Sequence, residues 1–570
     1  MTTFNYIAGA DQWLGIAPVV VLVVMALVLM LVDLLLPHEG ERSKHSGPAN
    51  FTVLPAVALL GVLGSIAAAI TLFFVGHPTS VFNNMLGADS GTLFADLIIL
   101  VAGGLGILLS PAYLKRLRLV HQGEYYALLL LSMTGMLLMA GALSFLIVFV
   151  GLEMFSLALY ILCGFIEQRQ ASQESGMKYF LLSSFASAFL LYGIALIYAA
   201  TGHTNFVDVQ RYVMSQAHGQ APILLMVGLG LLTVGFAFKV SAVPFQTWTP
   251  DVYQGAPAPI TAFMSVGTKV AALLAFIRVF GFALSSVQSS WMPVVWAIAV
   301  LTVVLGNVMA VGQGNIKRLL AYSSIAHGGY LLIGVVVSGA GTGSQNHIGA
   351  SAVLFYLSCY LFMNMGAFGV VSLLERLDNT GYEAADLRGL WYRRPWLAGL
   401  LAFFLLALAG FPPMAGFAAK YYLFYAALIG GHPELLVIGV IASVLGIYYY
   451  LRFIGTMFME GREESPALAV PATPGHIPAT PRPATKAPTG GLRRTASSAR
   501  GATAVAERPA STRVAAEPQP AVTPAEEPTR ELEGWSWVAI GIAALGTLVT
   551  GVILPFWLPQ IQQAAQSLLR

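Results

Sequence analysis

The sequence predicts an all-helical polytopic membrane protein of about fourteen transmembrane helices, with two inverted five-helix repeats that each contain a discontinuous helix. Three observations predict this class. Hydrophobic residues fill 57% of the 570 positions and charged residues only 10%, against about 25% charged in an ordinary soluble domain. The apolar residues gather in stretches near the ~20 residues that span a bilayer. The positive charges between those stretches collect in loops of one parity.

The stretches lie near 15–37, 54–76, 92–113, 125–142, 143–165, 178–200, 221–243, 259–282, 291–313, 318–339, 348–374, 396–427, 433–455 and 535–558. Only Gly141 to Ser144 separate the fourth from the fifth. The loops after spans 1, 3, 5, 9 and 11 carry Arg42, Lys44, Lys115, Arg116, Arg118, Arg169, Lys317, Arg318, Arg376, Arg388, Arg393 and Arg394, whereas loops of the other parity carry only Arg211. The positive-inside rule then puts both termini outside and the basic loops in the cytoplasm, which requires an even number of spans. The net charge of +3 sits in these loops and carries no nucleic-acid reading. The first span is too long for a secretory signal, lacks its basic start, and reads as a retained helix.

Two spans are interrupted. The seventh runs LLTVGFAFKVSAVPFQTWTPDVYQGAPAP, with Pro244, Pro250, Pro257 and Pro259; the twelfth runs LLALAGFPPMAGFAAKYYLF, with Pro412 and Pro413 between Gly410 and Gly416. Proline removes a helical hydrogen bond and clashes with the preceding turn, so each span should break there. Interrupted helices at matching positions of two halves mark the ion site of inverted-repeat transporters. Spans 7 and 12 are five apart, so spans 4–8 and 9–13 form the two repeats. The lysines are offset: Lys239 precedes Pro244, whereas Lys420 follows Pro413.

The chain divides accordingly into 1–124 (spans 1–3), 125–290 (first repeat), 291–460 (second repeat), 461–533, and 534–570 (span 14). The segment 461–533 is rich in Pro, Ala, Thr and Arg, as in AVPATPGHIPATPRPATKAPTGG. Such a composition cannot bury enough apolar surface to offset its ordering entropy, which predicts a disordered linker, cytoplasmic by parity.

Charged side chains inside spans are costly and mark candidate functional sites. Glu153 sits near the middle of span 5, where a carboxylate must be protonated, paired with a cation, or both in turn. Lys239 is its natural partner; snorkelling to the cytoplasmic face is the other account of its place. Lys269 lies mid-span in span 8, too deep to snorkel easily, and is the candidate central relay. Lys420 lies past the break of span 12. Lys178 opens span 6, where snorkelling and pairing with Glu153 account for it equally. In span 10, Ser323, Ser324, His327 and Tyr330 share roughly one face. His327 could bridge two lysines through water or simply hydrogen-bond between helices. One acid and four lysines without an evident solute pocket read as a path for protons, with a static ion pair as the plainer account of Glu153. Arg278 and Arg452 lie near helix ends and are expected at the membrane interface; Asp33 and Asp96 also lie near ends.

No redox or nucleotide chemistry is evident. Cys163 and Cys359 form no CxxC or CxxCH pattern and read as packing residues. GAGTGS at 339–344 follows no strand, so its glycines are turn residues. No histidine pair has the spacing for haem ligation.

FKVSAVPFQTWTPDVYQGAPAPITAFMSVGTKVAAL, NIKRLLAYSSIAHGGYLLIG and LALAGFPPMAGFAAKYYLF resemble the antiporter-like subunits of respiratory complex I. GMKYFLLSSFASAFLLYG and the span around Glu153 resemble in particular the subunit-N family of bacterial NADH-quinone oxidoreductase. The likeness runs from span 4 through span 13; spans 1–3 and 14 fit by number and placement. It implies a proton-translocating subunit in the membrane arm of that translocase, in the bacterial inner membrane beside a neighbouring antiporter-like subunit and small membrane subunits. It implies no cofactor in this chain, with NAD, FMN, iron–sulfur clusters and quinone held by partner subunits. Glu153 and Lys239 would be the coupled pair of the first half, Lys178 its modulator, Lys269 the central lysine and Lys420 the exit-side site. His327 would join this relay. The segment 461–533 departs from the compact family pattern. The rival readings are a subunit of a multi-subunit cation/proton antiporter, an ion-pumping subunit of a membrane-bound hydrogenase-type complex, and a scaffold whose charges only hold helices together.

Overall fold

Each predicted span is helical in the computed structural model, which describes residues 9–36, 50–75, 79–117, 122–215, 222–338, 347–375, 381–459, 530–552 and 554–569. After a single short helix, α1 (Ala10–Gly15), come α2 (Ala17–Leu35), α3 (Asn50–Val75), α4 (Ser90–Arg116), α5 (Gln122–Ala140), α6 (Phe145–Cys163) and α7 (Gln170–Thr201). The lone surface helix α8 (Phe206–Ser215) precedes α9 (Ile223–Lys239) and α10 (Trp248–Gly255), the two halves of the seventh span. Then follow α11 (Ala258–Phe276), α12 (Gln288–Val311), α13 (Ile316–Val337), α14 (Ile348–Leu374) and two short helices, α15 (Ala384–Leu387) and α16 (Leu390–Arg393). The twelfth span is α17 (Pro395–Ala409) and α18 (Ala415–Ile429), followed by α19 (Pro433–Phe458), α20 (Arg530–Val552) and α21 (Leu554–Leu568).

Twelve of the described helices are individually long and apolar enough to cross a bilayer, and α9, α17 and α18 are shorter apolar helices. The two interrupted spans account for the difference from fourteen. The predicted end of the last span near 558 overshoots: α20 stops at Val552 and a separate helix, α21, packs across α4 and α14. The predicted linker lies outside the described residues from 460 to 529, and its last residues already belong to α20.

Burial sorts the helices into layers. The most apolar 18-residue stretches of the α13 span and of the α11 span with its π-helical extension Ile277–Ala283 are wholly buried, whereas only 22% and 28% of those of α2 and α3 are. Outer helices present Leu34, Phe74, Phe185 and Leu545 outward, as expected where lipid replaces water as the solvent. The polar positions flagged in spans 8 and 10 therefore sit on the two most enclosed helices.

The two groups of five repeat their contacts. α5 packs on α6 and on α11 in the first group, as α12 packs on α13 and on α19 in the second. Likewise α6 packs on α7 and α7 on α9, as α13 packs on α14 and α14 on α17 and α18. The α5–α6 seam closes through Gly135, whose added Cβ would lie 2.5 Å from Phe155 N, and the α12–α13 seam through Gly329, where it would lie 2.6 Å from Val303 N. Small residues let membrane helices approach backbone to backbone, and here they do so at corresponding pairs.

The narrow boundary between spans 4 and 5 is held by a hairpin. Ser80–Val81 pairs antiparallel with Leu86–Gly87, and Gly87 N donates to Gly141 O at 2.7 Å. Asn83 and Asn84 turn the hairpin at φ 55° and 60°, a region asparagine tolerates because its short polar side chain bonds locally.

The break in the twelfth span depends on close contact between its halves: a Cβ on Gly416 would lie 1.8 Å from Ala407 O, whereas one on Gly455 would meet nothing within 4 Å. Gly416→Ala should therefore destabilise the chain by about 1–3 kcal/mol. Gly455→Ala should change stability by less than about 1 kcal/mol. Thermal unfolding of the two variants in detergent checks the difference.

Candidate functional site

Lys239 is the last residue of α9, where the chain leaves the helix and Ser241 takes a φ of 61°. Its side chain turns inward and is 2% exposed, so it does not snorkel. Nζ donates to Ser156 Oγ of α6 at 2.8 Å and to Ser183 Oγ of α7 at 2.7 Å. The rings of Phe155, Tyr179 and Tyr160 lie 5.3, 5.4 and 5.9 Å from Nζ, within the range of cation–π attraction.

Glu153 lies on α6 one turn before Ser156 and is half-buried, with Oε1 enclosed and accepting no hydrogen bond. Its charge reaches Lys239 through space, but no ion pair joins them among the described residues. The expected pair is thus adjacent and not in contact, because the two serine hydroxyls take the ammonium group.

Lys178 departs further from expectation. It does not pair with Glu153: Nζ meets Glu174 Oε1 at 2.6 Å and Asp251 Oδ2 at 2.9 Å. Asp251, on α10, also binds Arg318 at 2.8 Å. These residues line a cavity of about 200 Å³ with Gln254 and Ser175. The reason is reach: Lys178 opens the polar end of α7, one turn from Glu174, with α10 packed against it.

Lys269 is 1% exposed on α11; its Nζ donates to Ser324 Oγ of α13, and Tyr360 Oη of α14 donates to the same oxygen at 3.0 Å. His327, one turn along α13 from Ser324, is 2% exposed, and its Nδ1 lies 2.7 Å from Tyr356 Oη. The charges of Lys420 and Lys269 both act on it. Lys420, on α18, reaches back across the break: Nζ donates to Ala409 O at 2.9 Å, Leu408 O at 3.3 Å and Ser443 Oγ at 3.0 Å, beneath the ring of Tyr330. Gly410, at φ 87°, ends α17 and turns those carbonyls free. The last carbonyls of a helix have no internal partner and carry its negative dipole end, so an ammonium group is their natural cap.

A second buried network was missed. Glu375, at the end of α14, is 3% exposed and binds Arg169, Tyr113 Oη at 2.8 Å and Lys317 at 3.6 Å. Lys317, fully buried, also donates to Ala256 O at 2.9 Å, capping the end of α10. Arg169 and Lys317 were expected as solvated loop charges; folding draws both inside because Glu375 needs counter-charges. An acid at the very end of span 11 was the only signal, and its partners lie far away in sequence. Arg278 was expected at the interface and is instead 1% exposed, paired with Asp89. Arg452 is exposed and donates to Val311 O, as a residue at a helix end should. Among the described residues, no three His, Cys, Asp or Glu side chains group so as to hold a metal ion.

The arrangement of buried lysines beside two broken helices has known counterparts. Residues 142–446 match the sequence profile of a family described as NADH:quinone oxidoreductase/Mrp antiporter, transmembrane. The chain belongs to this family. Within it, the chain is 42% identical over 449 residues to NADH-quinone oxidoreductase subunit N of Trichlorobacter lovleyi, covering 79% of this chain and 88% of that protein. Its fold superposes on a chain of respiratory complex I from Thermus thermophilus with bound aureothin at a TM-score of 0.66 and 29% identity, covering 95% and 98% of the two chains. A chain of the Mrp complex from Dietzia sp. shares the fold at a TM-score of 0.70, with 21% identity, covering 98% and 97%. The match to the family spans both broken helices and all the buried lysines.

Removing one partner of a buried charge network leaves the others uncompensated, at about 3–5 kcal/mol. Glu375→Gln should lose stability on that scale and lower the amount of chain in the membrane, whereas Glu174→Gln, at an exposed pair, should lose less than about 1 kcal/mol. Quantitative immunoblotting and thermal unfolding check both.

Proposed function

We propose that this chain is the proton-translocating, subunit-N-type membrane subunit of an NADH-quinone oxidoreductase, with the electron transfer carried out in partner subunits. The observation that carries the proposal is the company kept by the buried lysines. Lys239 and Lys269 are enclosed, belong to no ion pair among the described residues, and bond to serine hydroxyls. A hydroxyl can accept from an ammonium group and donate to an amine. Such a partner serves both protonation states, as a relay requires. Lys317, equally buried, forms an ion pair with a carboxylate at 3.6 Å and donates to a carbonyl, both of which only accept; it reads as a fixed charge. That contrast separates the relay from a scaffold whose charges merely hold helices together.

The proton path runs from Lys239 through Lys269 and His327 to Lys420. Glu153 is the input: its carboxylate attracts positive charge to Lys239, and neutralising it frees that proton to move inward. Lys178, joined to Asp251 and Arg318 at the polar cavity, tunes charge near the entrance. NAD, FMN, iron–sulfur clusters and quinone belong to the partner subunits, and those partners are the neighbouring antiporter-like subunit and small membrane subunits. The complex sits in the bacterial inner membrane with the basic loops inside, as their parity requires.

Lys239→Ala in the native membrane tests the reading, with NADH-driven quinone reduction and proton uptake into inverted vesicles followed together. Both rates should collapse while assembly persists. Normal rates with an unchanged proton-to-electron ratio would remove Lys239 from the path.

A further inference from the structure

Arg278, in the π-helical extension of α11, faces two carboxylates of the α4 end: Asp89, its N-cap, and Asp96. Asp89 is fully answered. Its Oδ1 accepts from Gly91 N at 2.9 Å, Thr92 N at 3.0 Å and Ser567 Oγ at 2.9 Å, and its Oδ2 accepts from Thr92 Oγ1 at 3.1 Å and from Arg278. The guanidinium is directed at Asp89, Thr92 Oγ1 and Ala140 O. Asp96, one turn beyond Thr92, is 4% exposed, and no protein group donates to its Oδ1. It lines a cavity of about 10 Å³ with Thr92, Gly87 and Ala88, room for about one water.

The charges do not balance if both acids are ionised, since one guanidinium faces two carboxylates. Hydrogen bonds commit Arg278 to Asp89. A bare carboxylate at Asp96 would be an uncompensated buried charge, which proteins avoid by keeping the proton. We propose that Asp96 holds an exchangeable proton and, with Asp89, Thr92 and Arg278, forms a further proton-binding site at the opposite end of α4 from the Glu375 network. Tyr113 of α4 touches Glu375, and the seventeen residues from Asp96 to Tyr113 span ~25 Å of helix. The site thus lies near the face opposite the Lys178–Asp251 cavity. The proton leaves Asp96 for water in the small cavity, and the carboxylate left behind then competes with Asp89 for Arg278. The exchange needs no oxidant or further reactant.

That Asp96 binds a proton stands on this geometry alone. Any part of Asp96 in the proton transfer of the relay rests on the function proposed above. Infrared difference spectra of the assembled enzyme between water and deuterium oxide test the first point. A protonated-carboxyl band that shifts in deuterium oxide and is missing from Asp96→Asn is expected; identical spectra from the two enzymes overturn the proposal. Should Asp96→Asn fail to accumulate, Asp96→Glu reads the same site, since its band should move and an unmoved band overturns the assignment. For the second point, the proton-to-electron ratio of Asp96→Asn should fall to that of Lys269→Met. A normal ratio in Asp96→Asn beside a lowered one in Lys269→Met removes Asp96 from the relay. A normal ratio in Lys269→Met instead overturns the relay, while the infrared band still decides the proton at Asp96.

Discussion

A bilayer core offers no hydrogen-bond partner, so every helix end and every charge inside this chain has to be answered by another part of the chain. The two broken helices make that constraint acute. The break in the twelfth span exposes backbone carbonyls within the bundle, which Lys420 meets at Leu408 and Ala409, and the far end of α10 is met by Lys317 on Ala256. The enclosed helices α11 and α13 then place Lys269, Ser324 and His327 between these ends. Most of the polar chemistry of the bundle follows from where the helices stop.

The buried lysines described differ in their neighbours, with Lys420 intermediate, on two carbonyls and the Ser443 hydroxyl. Lys317 has an acid at 3.6 Å and a carbonyl at 2.9 Å, a fixed arrangement in which losing a proton would leave acceptors facing acceptors. Lys239 and Lys269 have hydroxyls and aromatic faces. Such surroundings tolerate an ammonium group without demanding one. Glu153 stands off from Lys239, so its influence travels through space. A direct ion pair would have bound the two more tightly and switched less readily.

The Asp89 end of α4 obeys the same constraint by another route. Asp89 caps the helix, holds Arg278 and receives Ser567 from the C-terminal helix α21. One carboxylate thereby ties the hairpin end of the bundle to the last helix of the chain. Asp96 stands beside this fully used group with no counter-charge left over, which is why protonation is its physical recourse.

How much of this was legible depended on range along the chain. Span positions, the breaks at Pro244 and Pro412–Pro413, and the depth of Lys269 follow from apolar length and proline, which act locally, so the sequence by itself determined them. For Lys239 the sequence left burial beside Glu153 and snorkelling both open. The partners were not legible. Ser156 and Ser183 for Lys239, Glu375 for Arg169 and Lys317, and Asp89 for Arg278 all join residues far apart in sequence. Apart from the polar face of span 10, these spans are apolar on nearly every face, so no polar stripe says which side of a helix will meet which neighbour. Only the stacking of the helices decides that, and with it which lysine meets a carboxylate and which meets hydroxyls.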